Sequence, residues 1–324
     1  MKAAVLHEPG RVEIAEIPNP EPGGGEVLIS VGGVGLCGSD VSLFSGKWKA
    51  KTYPWIMGHE AFGVIEALGP GVSPNRLGQT VVVEPNVPCS ACDQCSRGWT
   101  SACVNRQSLG MNRVGALAEY VVVPDRFAWS MPEVPATDLV CIEPTTVALA
   151  ALRRFGAPLP DSVLVVGVGS QGLLMSLVLA ERGVEVHVQD VDPGRIAFAV
   201  ELGALPAATD DARRFDLVVD TVGAPSSIAF AVDRVEAGGT VLCLGLDSRP
   251  LEITSQTLVR RQPRIQGSLT YDHPADFEEA IALIGAGRFS PGRIITDEYS
   301  LEDAQLAFER NGSARGKTWI RISG

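Results

Sequence analysis

The sequence has no long apolar run and no basic stretch. In a chain of 324 residues, eighteen apolar residues never follow one another, so no membrane span is predicted. The opening MKAAVLHEPGRVEIAE alternates apolar and polar residues and lacks the apolar centre of a signal peptide. The formal net charge is −11 without any Lys/Arg-rich run, whereas nucleic-acid binding needs a basic surface. We therefore expect a cytoplasmic protein that binds neither nucleic acid nor membrane.

What is present indicates two globular domains. The chain is too long for one ordinary core, and 45% of its residues are hydrophobic. Short β-branched runs bounded by Gly and Pro fill the first half, as in EVLISVGGV (26–34) and AEYVVVP (118–124), and predict a mostly antiparallel, barrel-like domain. From residue 144 to 268, apolar strands alternate with helical stretches, which is typical of βαβ units with a parallel sheet. Residues 1–143 and 269–324 are expected to form the first domain together, with residues 144–268 inserted as the second.

Four cysteines lie within fifteen residues, spaced C-x2-C-x2-C-x7-C. A disulfide cluster, a redox centre and a metal site all begin from such a pattern. In a reducing compartment, a dense cluster is more often a metal site than a disulfide framework. Four thiolates suit the tetrahedral geometry of Zn²⁺ and leave no open coordination position, so the predicted zinc is structural. Its predicted ligands are Cys89, Cys92, Cys95 and Cys103.

A dinucleotide site is predicted at VLVVGVGSQGLL. Its G-x-G-x-x-G follows a strand and opens a helix, so that the helix N-terminus can hold a pyrophosphate. An acid at the end of the next strand, Asp190, favours NAD over NADP because it repels a 2′-phosphate, and Arg195 softens that preference. The alternative for Asp190 and Asp192 is helix capping. The predicted cofactor-binding residues are Gly167, Gly169, Gln171, Gly172, Asp190 and Arg195.

Two glycine-rich loops carry further ligand-type residues. VGLCGSDVSLFSG contains Cys37, Ser39 and Asp40, and MGHEAFGVIE contains His59 and Glu60. These two loops, the four-cysteine cluster and the dinucleotide motif follow one another along the chain in the order found in the zinc-dependent medium-chain dehydrogenases. The whole chain therefore resembles that family. The resemblance implies a GroES-like, β-rich catalytic domain with an inserted Rossmann domain, a doubly wound parallel sheet, and hence an α/β fold.

The resemblance also implies a catalytic zinc. In the family, residues matching Cys37 and His59 bind it. At the position of the family's third zinc ligand this chain has Glu143, within CIEPTTVAL, and Cys141 lies two residues before that position. A glutamate there is similar to sorbitol and other polyol dehydrogenases. In these enzymes the residue matching Glu60 is also a ligand or a displaceable one. The alternative for Glu143 is capping of the following helix.

A reaction follows from the same resemblance. The metal lowers the pKa of a substrate hydroxyl, and hydride passes to the nicotinamide. Ser39 matches the hydroxyl that accepts the proton, and Asp40 matches an acid behind the metal ligands, expected to pair with Lys317. Many relatives have a histidine where this chain has Ser42, so the route by which the proton leaves stays open. The predicted catalytic residues are Cys37, Ser39, His59 and Glu60.

The substrate class is expected to be a polyol, sugar or (amino)cyclitol. The run CGSDVSLFSGKWKAKTYPWIMGHE resembles amino-cyclitol dehydrogenases such as 2-deoxy-scyllo-inosamine dehydrogenase, and less closely polyol and threonine dehydrogenases. Either a pocket or a core position suits its four aromatic residues, Phe44, Trp48, Tyr53 and Trp55. Other candidates are a threonine or simple-alcohol dehydrogenase of the same family, a zinc-free reductase and a non-catalytic nucleotide-binding protein. A homodimer or homotetramer is expected, joined through edge strands near GTVLCLGLDS.

Overall fold

The computed structural model describes residues 1–156, 158–207 and 213–322. The chain divides into two compact units. One comprises Met1–Glu143 with Asp272–Gly324, and the other comprises Pro144–Tyr271. The inserted unit thus ends at Tyr271, where the sequence pattern placed the end at residue 268. Among the described helices, none combines the length and the apolar character needed to cross a bilayer.

The first unit is built on a seven-stranded sheet in the order β10-β6-β5-β3-β18-β17, with β9 also paired to β3. All of its pairs are antiparallel except β17 with β18. A three-stranded sheet, β2-β1-β4, and a β7–β8 hairpin complete the strands. The bounds are β1 Lys2–Glu8, β2 Arg11–Glu16, β3 Glu26–Gly35, α1 Gly38–Phe44, β4 Trp55–Ile56, β5 Glu60–Leu68, β6 Thr80–Val83, β7 Asn86–Val87, α2 Asp93–Ser96, β8 Gln107–Ser108, β9 Tyr120–Pro124, β10 Ala128–Ser130 and α3 Ala136–Leu139. Helix α4, Ile142–Phe155, begins at the end of this segment and belongs mostly to the second unit.

The second unit is a six-stranded parallel sheet in the order β13-β12-β11-β14-β15-β16. The central strands are largely buried, as their mostly apolar sequences predict; β11, for example, has four consecutive buried residues. The bounds are β11 Ser162–Val166, α5 Ser170–Glu181, β12 Glu185–Gln189, α6 Pro193–Glu201, β13 Leu205–Pro206, β14 Phe215–Asp220, α7 Pro225–Arg234, β15 Val235–Cys243, α8 Ser255–Arg261 and β16 Arg264–Gly267.

The chain then returns to the first unit. The bounds are α9 Ala275–Gly285, β17 Ile295–Ser300, α10 Ala304–Arg310 and β18 Lys317–Arg321. The predicted GroES-like domain and Rossmann sheet are confirmed by this architecture. The predicted position of the sheet edge is wrong, however. The strand containing GTVLC is β15, which lies between β14 and β16, so the edge strand on that side of the sheet is β16.

Candidate active site

The pairing of β3 with β5 brings together the two loops singled out in the sequence. Gly35 at the end of β3 lies opposite Glu60 at the start of β5. Cys37 therefore follows one strand where His59 precedes the other. Ligand atoms of Cys37, His59 and Glu60 all lie within 4.8 Å of one another. A thiolate, an imidazole and a carboxylate are the donors that catalytic zinc sites use, and the spacing suits an ion bound by each at about 2.0–2.3 Å.

Asp40 supports this cluster from helix α1. Its carboxylate is fully buried and accepts hydrogen bonds from the backbone N–H groups of Gly58 (3.0 Å) and Cys37 (3.1 Å). Its Oδ2 also lies 3.3 Å from Nδ1 of His59, although that contact lacks the geometry of a full hydrogen bond. Asp40 thereby ties both ligand-bearing loops together and leaves Nε2 of His59 for a metal.

The charges of the cluster suit a cation. Burial lowers the pKa of His59, but the charges of Asp40 and Cys37 outweigh it and raise that pKa well above the ordinary value. For Asp40, burial acts to raise the pKa, and the charge of His59 holds it below its usual range. The same anionic groups that would hold a proton on His59 would attract Zn²⁺. The residues therefore fit the catalytic metal that the sequence implied.

Lys317 also reaches this cluster, but not as expected. The predicted partner was Asp40, whereas the Nζ of Lys317 forms its ion pair with Oε2 of Glu60. Burial lowers the pKa of Lys317, but the charge of Glu60 outweighs it and raises that pKa, so the ammonium stays charged. Sequence reasoning missed this pair because β18 joins the sheet beside β3 only after the whole inserted unit has intervened.

The third predicted ligand is not part of the group. Glu143 lies buried near the start of α4, yet among the described residues the group within 4.8 Å comprises Cys37, His59 and Glu60 only. Cys141, two residues earlier, is fully buried, and this burial raises the pKa of its thiol. Direct zinc binding by Glu143 stays a prediction.

The two serines of α1 differ in availability. Ser39, the residue before Asp40 in the chain, is partly exposed. The hydroxyl of Ser42 donates a hydrogen bond to the carbonyl of Gly38 at 2.9 Å. Ser42 is thus engaged by its own helix, which suits a residue outside the proton route.

The four-cysteine loop closes on itself. The thiol sulfurs of Cys89, Cys92, Cys95 and Cys103 lie within 4.8 Å of one another, and all four are free thiols. The Sγ atoms of Cys92 and Cys95 are 3.6 Å apart, a separation far longer than a disulfide bond. The backbone N–H of Cys95 is the main reason that the pKa of Cys92 falls to about 6, which favours the thiolate that binds metal. These residues fit a structural zinc.

The dinucleotide motif has the expected glycine geometry. Gly167 has a φ of +85° and leads into Gly169, which caps α5. A Cβ on Gly172 would overlap the carbonyl of Gly167, whereas Gly169 has open space at that position, as close approach of a ligand requires. The side-chain amide of Gln171 donates to the carbonyl of Pro144 at 3.3 Å.

Asp190 lies beside this turn. Its Oδ2 accepts from the N–H of Val168 at 2.8 Å, and its Oδ1 accepts from the N–H of Asp192 at 2.9 Å. Asp192 is the residue that caps α6, accepting from Gly194 and Arg195. The capping alternative thus applies to Asp192, and Asp190 instead braces the glycine turn.

The aromatic residues divide between core and surface. Trp55 is buried, and its Nε1–H donates to the carbonyl of Gly110 at 2.7 Å. The ring of Phe44 stacks on that of Phe308, with 5.0 Å between the ring centroids. Trp48 packs partly against the same core, while Tyr53 is 39% exposed. Trp55 and Phe44 therefore serve packing.

Comparison with known proteins gives one family. Residues 23–133 match the alcohol dehydrogenase GroES-like domain, and residues 171–286 match the zinc-binding dehydrogenase domain. D-xylulose reductase A of Aspergillus niger is 30% identical over 95% of this chain and 91% of its own. Sorbitol dehydrogenase of Bacillus subtilis is 29% identical over 96% of this chain and 93% of its own.

Solved structures agree with this assignment. An alcohol dehydrogenase, RspB, of Escherichia coli CFT073, complexed with NADH, has a TM-score of 0.92 at 30% identity and covers 99% of both chains. The chain belongs to the zinc-type medium-chain dehydrogenases, the family of the alcohol and polyol dehydrogenases.

Proposed function

We propose that this enzyme oxidises a secondary hydroxyl of a polyol, sugar or (amino)cyclitol with NAD as hydride acceptor. The observation that carries the proposal is the convergence of Cys37, His59 and Glu60, with Asp40 behind them. The similarity to D-xylulose reductase A and sorbitol dehydrogenase supports the polyol class. We place the enzyme in the cytoplasm, where its seven free thiols would stay reduced.

The residues divide the chemistry among them. Cys37, His59 and Glu60 would hold the catalytic zinc, whose Lewis acidity acidifies the substrate hydroxyl when the metal is bound. Asp40 fixes the backbone of Cys37 and Gly58 by hydrogen bonds and presents its charge to Nδ1 of His59. Ser39 relays the proton: its Oγ takes up the proton of the substrate hydroxyl as its own hydroxyl proton passes onward, so the serine ends neutral and unchanged. Cys89, Cys92, Cys95 and Cys103 would hold a second, structural zinc.

The test is NADH formation followed at 340 nm with a panel of alcohols. Sorbitol, xylitol, myo-inositol and an amino-cyclitol represent the proposed class, and threonine and simple secondary alcohols represent its alternatives. Turnover of a polyol or cyclitol above the other compounds is the expected result. Preference for threonine or for a simple alcohol would replace the proposed substrate class and keep the family.

Cofactor choice is proposed to rest on Asp190. We expect Asp190→Asn to lower the ratio of kcat/KM for NAD over NADP by about tenfold, or about 1.4 kcal/mol, because the charge that repels a 2′-phosphate is gone. The matched control is Asp192→Asn, since asparagine also caps helices well. Equal changes in both variants, measured by steady-state rates with each cofactor, would exclude this role for Asp190.

We also propose that the enzyme is a homo-oligomer joined through β16. This edge strand and the residues that precede and follow it in the chain carry several exposed apolar side chains, and exposed patches of this kind mark interfaces. They are Leu258 (40%), Val259 (73%), Ile265 (39%) and Leu269 (46%). Light scattering is expected to show a dimer or tetramer, and Ile265→Glu to shift it toward monomer. A monomeric wild type at micromolar concentration would contradict the proposal.

A further inference from the structure

A buried cation lies within the proposed catalytic metal site. We propose that Lys317 is a positioning residue that holds one carboxylate oxygen of Glu60 and so keeps Glu60 an exchangeable ligand of the catalytic zinc. The inference rests on the proposed function, since it concerns the same metal. It assigns a task to a side chain that the proposed chemistry leaves unused.

The contacts of Lys317 are specific. It is the first residue of β18 and is completely buried. Its Nζ pairs with Oε2 of Glu60 and donates to the carbonyl of Leu36 at 3.3 Å. Leu36 is the residue before Cys37, so the ammonium lies between two of the proposed zinc-binding positions.

The surrounding backbone leaves room for this pair and little else. A Cβ on Gly35 would overlap Oε2 of Glu60 and lie 2.8 Å from Cε of Lys317. Glu60 itself is 2% exposed, so water does not compete for its carboxylate. Glu60 therefore has two available counter-ions, the ammonium of Lys317 and a metal between Cys37 and His59.

Competition between these counter-ions sets how firmly Glu60 binds metal. A carboxylate with one oxygen held by an ammonium has less negative charge to offer a cation than an unpaired one. Without the ammonium, the buried carboxylate would be left with the metal alone, because an unpaired buried charge is strongly unfavourable. Removal of the positive charge is therefore expected to tighten the hold of Glu60 on zinc.

The first measurement is the rate of zinc release to a chromogenic chelator from the fully loaded protein. Zinc release from the proposed catalytic site is identified as the kinetic phase that the wild type shows and the Cys37→Ser variant lacks. In Lys317→Met this phase is expected to be about tenfold slower than in wild type, equivalent to about 1.4 kcal/mol. Lys317→Arg keeps the charge and is expected to release zinc at nearly the wild-type rate. Lys317→Gln replaces the methionine variant if that protein does not fold.

A double-mutant cycle decides whether Lys317 acts through Glu60. In protein already carrying Glu60→Gln, adding Lys317→Met is expected to leave the release rate unchanged. An unchanged or faster release in folded Lys317→Met overturns the inference, as does the same effect with and without Glu60→Gln. If wild type and Cys37→Ser release the same zinc, the proposed function itself fails, so the two failures are distinguishable.

Discussion

Replacing Cys37 by serine is expected to remove one of two zinc ions per chain and to lower kcat/KM for the polyol substrate about a thousandfold or more. The thiolate is the only soft donor in a group completed by His59 and Glu60. Metal catalysis contributes several kcal/mol, and a thousandfold corresponds to about 4 kcal/mol. Metal analysis and steady-state rates measure the two effects on the same preparation.

The matched control for that prediction is Ser42→Ala, in helix α1, which Cys37 immediately precedes. The hydroxyl of Ser42 donates to the carbonyl of Gly38, so its loss should leave zinc content intact and change the rate only slightly. Two zinc ions retained in Cys37→Ser, with full activity, would disprove the assignment of the catalytic site. A large loss of rate in Ser42→Ala would instead return Ser42 to the proton route.

Replacing Cys95 by serine is expected to remove the other zinc and to lower the melting temperature by about 10 °C. Loss of a structural metal is among the largest single-residue effects, about 4 kcal/mol or more, and each kcal/mol shifts a chain of this size by about 2–4 °C. The four-cysteine loop is also held by residues that follow the inserted unit, which limits the loss of stability. The N–H of Ser101 donates to Asp272, and the hydroxyl of Thr100 accepts from the N–H of His273.

The control here is Cys243→Ser, a thiol in β15 outside both clusters. It should keep both zinc ions and a melting temperature within a few degrees of wild type. If Cys95→Ser keeps two zinc ions and the wild-type melting temperature, the four cysteines are not a metal site. Calorimetry with metal analysis separates these outcomes.

Much of the fold could be predicted because its signals are local. The apolar runs VLVV in β11 and LVV in β14 indicate strands buried on both faces, and the glycine motif indicates the turn at Gly167, whose φ is positive. Strand β16 carries no comparable signal. It is four residues long and mostly exposed, so the sheet edge was placed one strand too early.

The candidate site divides in the same way. Cys37, Asp40, His59 and Glu60 lie in two short motifs, and strand pairing brings these together. The partner of Lys317 depends on how β18 aligns with β3, which no local pattern encodes. Both Asp40 and Glu60 were chemically suitable, and only the arrangement of the sheet selects Glu60.

The most direct test of the central claim is anomalous diffraction at the zinc edge from crystals of the loaded enzyme. Two peaks per chain are predicted. One should lie among Cys37, His59 and Glu60, and the other among Cys89, Cys92, Cys95 and Cys103. A peak at the four cysteines alone, from protein that oxidises the polyol with NAD at its full rate, would contradict a zinc-dependent reaction at Cys37.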